Sequence, residues 1–270
     1  MDTKHRAAIA SLALLLGGLA AVGCGPVDNR KHLILYGDSL SVESGPYLGA
    51  AITKRSKVSF TNRAQSGTAP CDWKRTIKKD IKSRIPEAVV IEAFGNNASS
   101  CQVGAGGLRP TMDSSAYWKM YRTDLLRTVR LFPRSTQVIL VSAPAASNDL
   151  AHGSSHKARM LSTMKQIASR YGNVTAYDAG AKLEAPAGHF VRLMPCATPG
   201  PCPNHPKVGT AIVRALDGLH FCPPMVWAKL SLLKHCPVIA YGAWRFGLAE
   251  AVAAARQLRV VAVPPKLKKV

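Results

Sequence analysis

The sequence predicts a three-layer α/β/α sandwich on a parallel, flavodoxin-like sheet. Three observations carry that expectation. Five short apolar runs, each the length of a buried strand, recur along the chain. Stretches with helical periodicity separate them. Turn-forming Gly, Asp, Asn and Ser follow the first three runs. Alternation of this kind pairs strands in parallel through right-handed crossovers, with helices on both faces.

The expected strands, in order, are His32–Tyr36, Lys57–Thr61, Ala88–Ala93, Gln137–Val141 and Asn173–Tyr177. Helices are expected over Gly45–Arg55, Thr76–Arg84, Ser114–Leu131 and Ser155–Tyr171, with a last one over Trp244–Leu258. In the third helix Tyr117, Tyr121, Leu125, Thr128 and Phe132 recur at helical spacing and read as a core-facing stripe. Leu183–Pro206 is rich in Pro and Gly, carries two cysteines and reads as one long, disulfide-pinned loop.

Before the first strand lies an export signal, residues 1–23. Lys4, His5 and Arg6 precede an apolar stretch, Ile9–Val22, too short for a comfortable membrane span. Two fates fit "AVGC". Cys24 could be lipidated as the mature N-terminus, or cleavage after Gly23 could free the chain. Ala21 stands where a lipoprotein signal prefers Leu, yet the cysteine count favours lipidation. Residues 24–270 read as one domain, expected to be a monomer.

Seven cysteines are present, and setting Cys24 aside leaves Cys71, Cys101, Cys196, Cys202, Cys222 and Cys236. An even set suits three disulfides in an oxidising compartment. Nearest neighbours suggest Cys71–Cys101, Cys196–Cys202 and Cys222–Cys236. Zinc is the rival: Cys196, Cys202, His205 and Cys222 have suitable atoms but no tight Cys-x-x-Cys spacing. Disulfides are preferred, and no metal is expected.

The formal net charge is +21, with local density over Lys74–Arg84 and in the tail "KLKKV". Such charge attracts polyanions. In an exported chain without an aromatic-rich basic motif, nucleic acid is excluded and an anionic envelope polymer is the expected partner. Membrane attachment is expected only through a lipid on Cys24.

The chemistry begins at "LILYGDSLSVESG", Leu33–Gly45, where a strand stops abruptly in Gly-Asp-Ser. Ser39 is either a helix cap or a nucleophile raised on a strand-end turn. Asp38 could brace that turn. Among eight histidines, His32 opens a strand at its opposite end. His152, His156, His189, His205 and His235 read as surface residues. His220 differs, because Asp217 precedes it by three residues and could orient its imidazole as a base for Ser39. Candidate oxyanion donors are the Ser39 amide, the Gly67 amide and the Asn97 side chain.

Gly37-Asp38-Ser39-Leu40, Gly67, Gly95-Asn96-Asn97 and Asp217-Gly218-Leu219-His220 occur in order, and the set resembles the SGNH hydrolases, or GDSL esterases and lipases. The cysteine pattern and the closing "YGAWRFG" resemble exported actinobacterial members. The resemblance implies Ser39 as nucleophile and amide donor, Gly67 and Asn97 as the other oxyanion donors, His220 as base and Asp217 as its partner. Ala98 departs from the family's usual acid. A serine ester hydrolase without cofactor is implied, acting on an acyl ester of an envelope glycan or lipid. An envelope O-acyltransferase using the same triad is the alternative, and a non-catalytic envelope-binding module a weaker third.

Overall fold

Val89, Val90, Ile91, Ile139, Leu140 and Val141 carry no group that needs water, and all are wholly buried. Burying such a side chain contributes roughly 1.5–3 kcal/mol, more than the ~1 kcal/mol span of strand propensities. They form the middle of a five-stranded sheet in a computed structural model that describes residues 29–94, 96, 99–103, 107, 109–147, 155–197, 209–221 and 240–265. The strands are β1 (Lys31–Tyr36), β2 (Val58–Asn62), β3 (Ala88–Glu92), β4 (Gln137–Val141) and β5 (Val174–Tyr177). All pair in parallel, in the order β2-β1-β3-β4-β5.

Helices fill the crossovers: α1 (Ser39–Thr53), α2 (Lys74–Ser83), α3 (Ser115–Val129) and α4 (Ser155–Ala168), with α5 (Tyr241–Leu258) last. The chain steps outward from β1 to β2, then back across β1 to β3, β4 and β5. Right-handed crossovers therefore put α1 on one face and α2, α3 and α4 on the other. Helix α5 packs against α1 and completes the first layer. The aromatic stripe of α3 is core, with Tyr117, Tyr121 and Leu125 fully buried.

Helix α1 starts six residues before its expected Gly45. Asp38 is the reason: its Oδ1 accepts from the Leu40 amide at 3.0 Å and caps the helix at Ser39. Ser41, Glu43 and Ser44, poor apolar-pattern residues, are buried because each finds a polar partner in the interior. Leu183–Pro206 is not one plain loop either. Strands β6 (Glu184–Ala185) and β7 (His189–Phe190) pair, as do β8 (Leu193–Pro195) and β9 (Thr210–Ile212). Ala187 and Gly188, both at positive φ, turn the first pair.

Cys71 and Cys101 form a disulfide. Cys196 is also disulfide-bonded, to a partner outside the described residues, so its thiolate is not available to zinc. Cys24, Cys202, Cys222, Cys236 and His205 lie outside the described residues. Among the described residues no helix is long and apolar enough to cross a membrane, and no cluster of His, Cys, Asp and Glu could hold a metal ion.

Candidate active site

Parallel strands end together, and their register brings three of the expected loops to one edge. Tyr36 of β1 pairs with Ile91 of β3, and Leu35 pairs with Asn62 of β2. The loops after these strands carry Ser39, Gly67 and Phe94–Asn97. The loop after β4 reaches the same edge and receives the chain that bears His220.

Ser39 is the first residue of α1 and half-buried. Gly37 before it has no room for a side chain: an added Cβ would lie 2.1 Å from Ser41 Oγ. The Asp38 carboxylate spans two elements, accepting from Leu40 N and, at 3.1 Å, from Phe94 N beyond β3. It therefore braces the turn and fixes the loop after β3 to it.

The His220 imidazole lies between Ser39 and Asp217. Its Nε2 is 2.7 Å from Ser39 Oγ, and its Nδ1 is 2.9 Å from Asp217 Oδ2. Asp217 Oδ1 accepts from the amides of Leu219 and His220, so the carboxylate is held by its own turn. Since that carboxylate can only accept, Nδ1 carries the proton and Nε2 accepts from the serine hydroxyl. Burial pulls the imidazole down to about 4; Asp217 pushes it up and Arg214 pushes it down. The imidazole is therefore neutral near pH 7. A hydroxyl donating to such a ring can surrender its proton as it attacks an electrophile.

Three contacts hold the histidine loop over the serine. Phe221 N donates to Glu43 Oε2 at 2.7 Å, one helical turn beyond Ser39 on α1. Arg214, wholly buried, donates to the carbonyls of Pro144 and Ala145 after β4 and lies over the Phe221 ring. Ser147 N donates to the Gly218 carbonyl at 2.9 Å. Gly218 itself sits at φ +71°, where a Cβ would meet Ser147 Oγ at 1.8 Å.

Gly67 belongs to a turn tied to the serine's own: Gln65 N donates to the Gly37 carbonyl at 2.9 Å. Its φ of +76° favours glycine, and an added Cβ would meet nothing within 4 Å. Conformation rather than crowding thus selects glycine there. Asn97 lies outside the described residues, as do His5, His152 and His235. His32 bonds Thr61 at the strand's far end. His156, expected at the surface, is buried instead, 2.9 Å from Asp113 and packed by Trp118. His189 is exposed.

Glu43, Glu92 and Arg214 did not stand out in the sequence. An acid closing the apolar run "AVVIE" was the available signal for Glu92. Glu43 and Arg214 carried none, because their partners are backbone groups of distant segments.

A serine at the end of the first strand and a D-x-x-H pair near the last helix, on a 2-1-3-4-5 parallel sheet, define the SGNH hydrolase fold. Within that class the chain belongs to the family described as a protein of unknown function, DUF459, whose model matches residues 32–224. No curated protein matches the sequence. Among solved structures, the chain is similar to the C-terminal catalytic domain of Streptococcus pneumoniae peptidoglycan O-acetyltransferase A. Identity is 15%, the match covers 87% of this chain and 98% of that one, and the TM-score is 0.50. A lipase/acylhydrolase from Enterococcus faecalis matches at 13% identity over 88% and 100% of the two chains, TM-score 0.48. A catalytic mutant of Axe2, an acetylxylan esterase from Geobacillus stearothermophilus, matches at 16% over 86% and 96%, TM-score 0.48.

Proposed function

We propose that this protein is an exported serine ester hydrolase. The observation that carries the reading is the continuous chain from Ser39 Oγ through His220 to Asp217, at 2.7 and 2.9 Å. His220 Nε2 takes the hydroxyl proton as Ser39 Oγ attacks the ester carbonyl. Asp217 holds the tautomer and stabilises the imidazolium. The oxyanion is received by the Ser39 and Gly67 amides and the Asn97 side chain. His220 returns its proton to the departing alkoxide, leaving an acyl-serine. Water, deprotonated by the same histidine, then releases the acid and restores the serine.

Transfer of the acyl group to a sugar hydroxyl would use the same groups, with the acceptor replacing water. An O-acetyltransferase domain with this fold supports keeping that reading second. Export is supported by the basic, apolar and small-residue run that ends at Cys24, and by disulfides at Cys71, Cys101 and Cys196. Lipidation of Cys24 would tether the enzyme to the envelope.

The test is hydrolysis of p-nitrophenyl esters of graded chain length by wild type and Ser39→Ala, with and without a sugar acceptor. Release by wild type alone supports the hydrolase. Release that depends on the acceptor supports the transferase. Equal turnover by a folded Ser39→Ala protein overturns both. For export, an unmodified Cys24 in soluble wild-type protein, found by mass spectrometry of the N-terminal peptide, would reject lipidation.

A further inference from the structure

Among the described residues, one groove gathers five cations. Along α3, Lys119, Arg122, Arg127 and Arg130 fall on one side of the helix, and Arg170 after α4 faces the same groove. The groove measures about 670 Å³ and is lined by those five cations with no carboxylate. A second groove of about 490 Å³ shares Arg127 and Arg130 and adds Lys74, so the basic track continues between α3 and the Pro70–Cys71 turn at the start of α2. Its one acid, Asp124, is buried and lies 3.8 Å from Arg127.

The cations are presented rather than consumed. Lys119, Arg127, Arg130 and Arg170 are exposed, and Arg127 keeps 76% of its side-chain surface. Arg130 Nε donates to the Tyr171 hydroxyl at 3.0 Å, which orients its guanidinium without neutralising it. Holding so many like charges together is unfavourable unless water, salt or an anion screens them.

The shape selects the anion. From Lys119 to Arg130 the helix rises about 16 Å, much longer than a single oxyanion. The track is concave, and the exposed large apolar residues Ile85, Val103, Leu193, Leu216 and Val261 all lie outside it. A bilayer would need a flat or convex face and apolar anchors. The aromatic ring in the groove, Trp118, is packed edge-on against Tyr117 and Tyr121 and is no platform for a base. Guanidinium forks match phosphate oxygens two at a time. We propose that this groove is the docking site for a linear, flexible polymer bearing phosphate groups.

Helix α3 starts at the sheet edge that carries Ser39 and ends at the opposite edge. Ser39, Asp217 and His220 line neither groove, so a polymer in the track does not occupy the serine. The track would hold the enzyme on its polymer while esters are cleaved at the edge, which deepens the exported-esterase reading and rests on it.

The test measures binding of fluorescent linear polyphosphate to full-length protein by anisotropy over a salt series. The combined Arg122→Gln, Arg127→Gln, Arg130→Gln and Arg170→Gln variant should weaken binding at least ~10-fold. Its slope of log affinity against log salt should be shallower by about two to three. A control removing four distant charges, Lys54→Gln, Arg55→Gln, Lys57→Gln and Lys182→Gln, should change affinity far less. Hydrolysis of a small soluble ester should be unaffected by polyphosphate. Should the four-fold variant melt early, Arg127→Gln and Arg170→Gln singly should each weaken binding in the same direction. Equal losses in groove and control variants would overturn the proposal. So would tighter binding to single-stranded DNA of equal charge, or loss of anionic-vesicle binding with polyphosphate binding intact. None of these binding outcomes depends on whether Ser39 proves to be a nucleophile.

Discussion

Glu92 and Asp38 meet as two buried carboxyls behind the serine turn, close enough that each acts on the other's charge. Two carboxylates cannot both be ionised there. Burial pushes Asp38 up as well, but the Leu40 and Phe94 amides it accepts from favour its charged form. Glu92 has less help. Ser41 Oγ donates to its Oε2 at 3.0 Å, while Oε1 has no donor among the described residues. Burial, then Asp38, then Glu250 push Glu92 well above the usual carboxylate range. From α3, Tyr117 and Tyr121 also lie within the field of this acid pair. Glu92 is therefore the acid that burial keeps neutral, and its bond from Ser41 joins β3 to the start of α1.

An amide can do the same work, so Glu92→Gln should keep kcat within a few-fold. Glu92→Met fills the space but removes the acceptor of Ser41 Oγ and the acid beside Asp38. It should lower kcat by ~10–10², since small misplacements of a reacting group are costly, and KM should change less. An infrared band of a protonated carboxyl at neutral pH, lost in Glu92→Gln, checks the protonation directly. Equal kcat for the Gln and Met variants would refute the positioning role.

Glu250 on α5 gives a pH-dependent prediction. Its Oε2 accepts from Ser44 Oγ at 2.8 Å, and burial raises its pKa from 4.5 to about 8. The folded state thus holds the proton more tightly than the unfolded state. Stability from this group is intact below about pH 4.5 and is lost as pH rises through 8, by up to a few kcal/mol. Glu250→Gln should leave stability unchanged at pH 4 and raise it at pH 9, where the wild type carries a buried charge. Urea melts at both pH values decide the matter, and no gain at pH 9 contradicts it.

In the proposed mechanism His220 acts as a neutral imidazole. Esterase kcat/KM should therefore climb through about pH 4 and stay level to neutrality. Asp217→Asn should cost ~10³–10⁴ in kcat, because an amide facing Nδ1 no longer fixes the proton there. A steady-state pH profile of both proteins provides the check, and an ascending limb near pH 7 would count against the buried, neutral histidine.

Gly218→Ala should disable the enzyme from outside the reacting atoms. The methyl would sit at positive φ, costing roughly 1–2 kcal/mol, and would overlap Ser147 Oγ. Adding Ser147→Gly removes the overlap but not the backbone strain. The double variant should recover part of the lost stability and activity, with thermal melts and ester turnover as readouts. Full recovery would show that crowding alone selects glycine at 218.

Local signals made the sheet and the serine–histidine pair legible. Apolar runs such as "HLILY" and "AVVIE" have few fates other than a buried strand, and D-x-x-H places an acid beside its imidazole through a short turn. The start of α1 was missed because Gly45-Pro46 looks like a helix beginning, whereas Asp38 caps the helix at Ser39. Glu92 and Glu43 were missed for another reason. Their partners, Asp38 and the Phe221 amide, lie far off along the chain, the second of them 178 residues away. Only the assembled fold gives those acids a purpose. His156 looked like a surface residue because nothing in its own segment announces Trp118 above it or Asp113 beside it.

The Cys71–Cys101 disulfide should support the site as well as the fold. It joins a turn at Pro70–Trp73, just past Gly67, to Ser100–Gln102, just past Asn96. Asp72 reinforces the link, accepting from Ala69 N and Ser99 Oγ. The sequence separation of 30 predicts a loss of about 3–4 kcal/mol on removing the bond, within the chain-entropy account. Both loops that carry proposed oxyanion donors would loosen, so kcat should fall more than KM rises. We expect Cys71→Ser/Cys101→Ser to melt earlier and turn over more slowly, with thermal melts and ester turnover as readouts. Thiol titration of the denatured, unreduced protein should find none of the six cysteines after Cys24 free. Two or more free thiols would break the three-disulfide expectation. Unchanged kcat in the double-serine variant would separate the disulfide's role in stability from any role in the site.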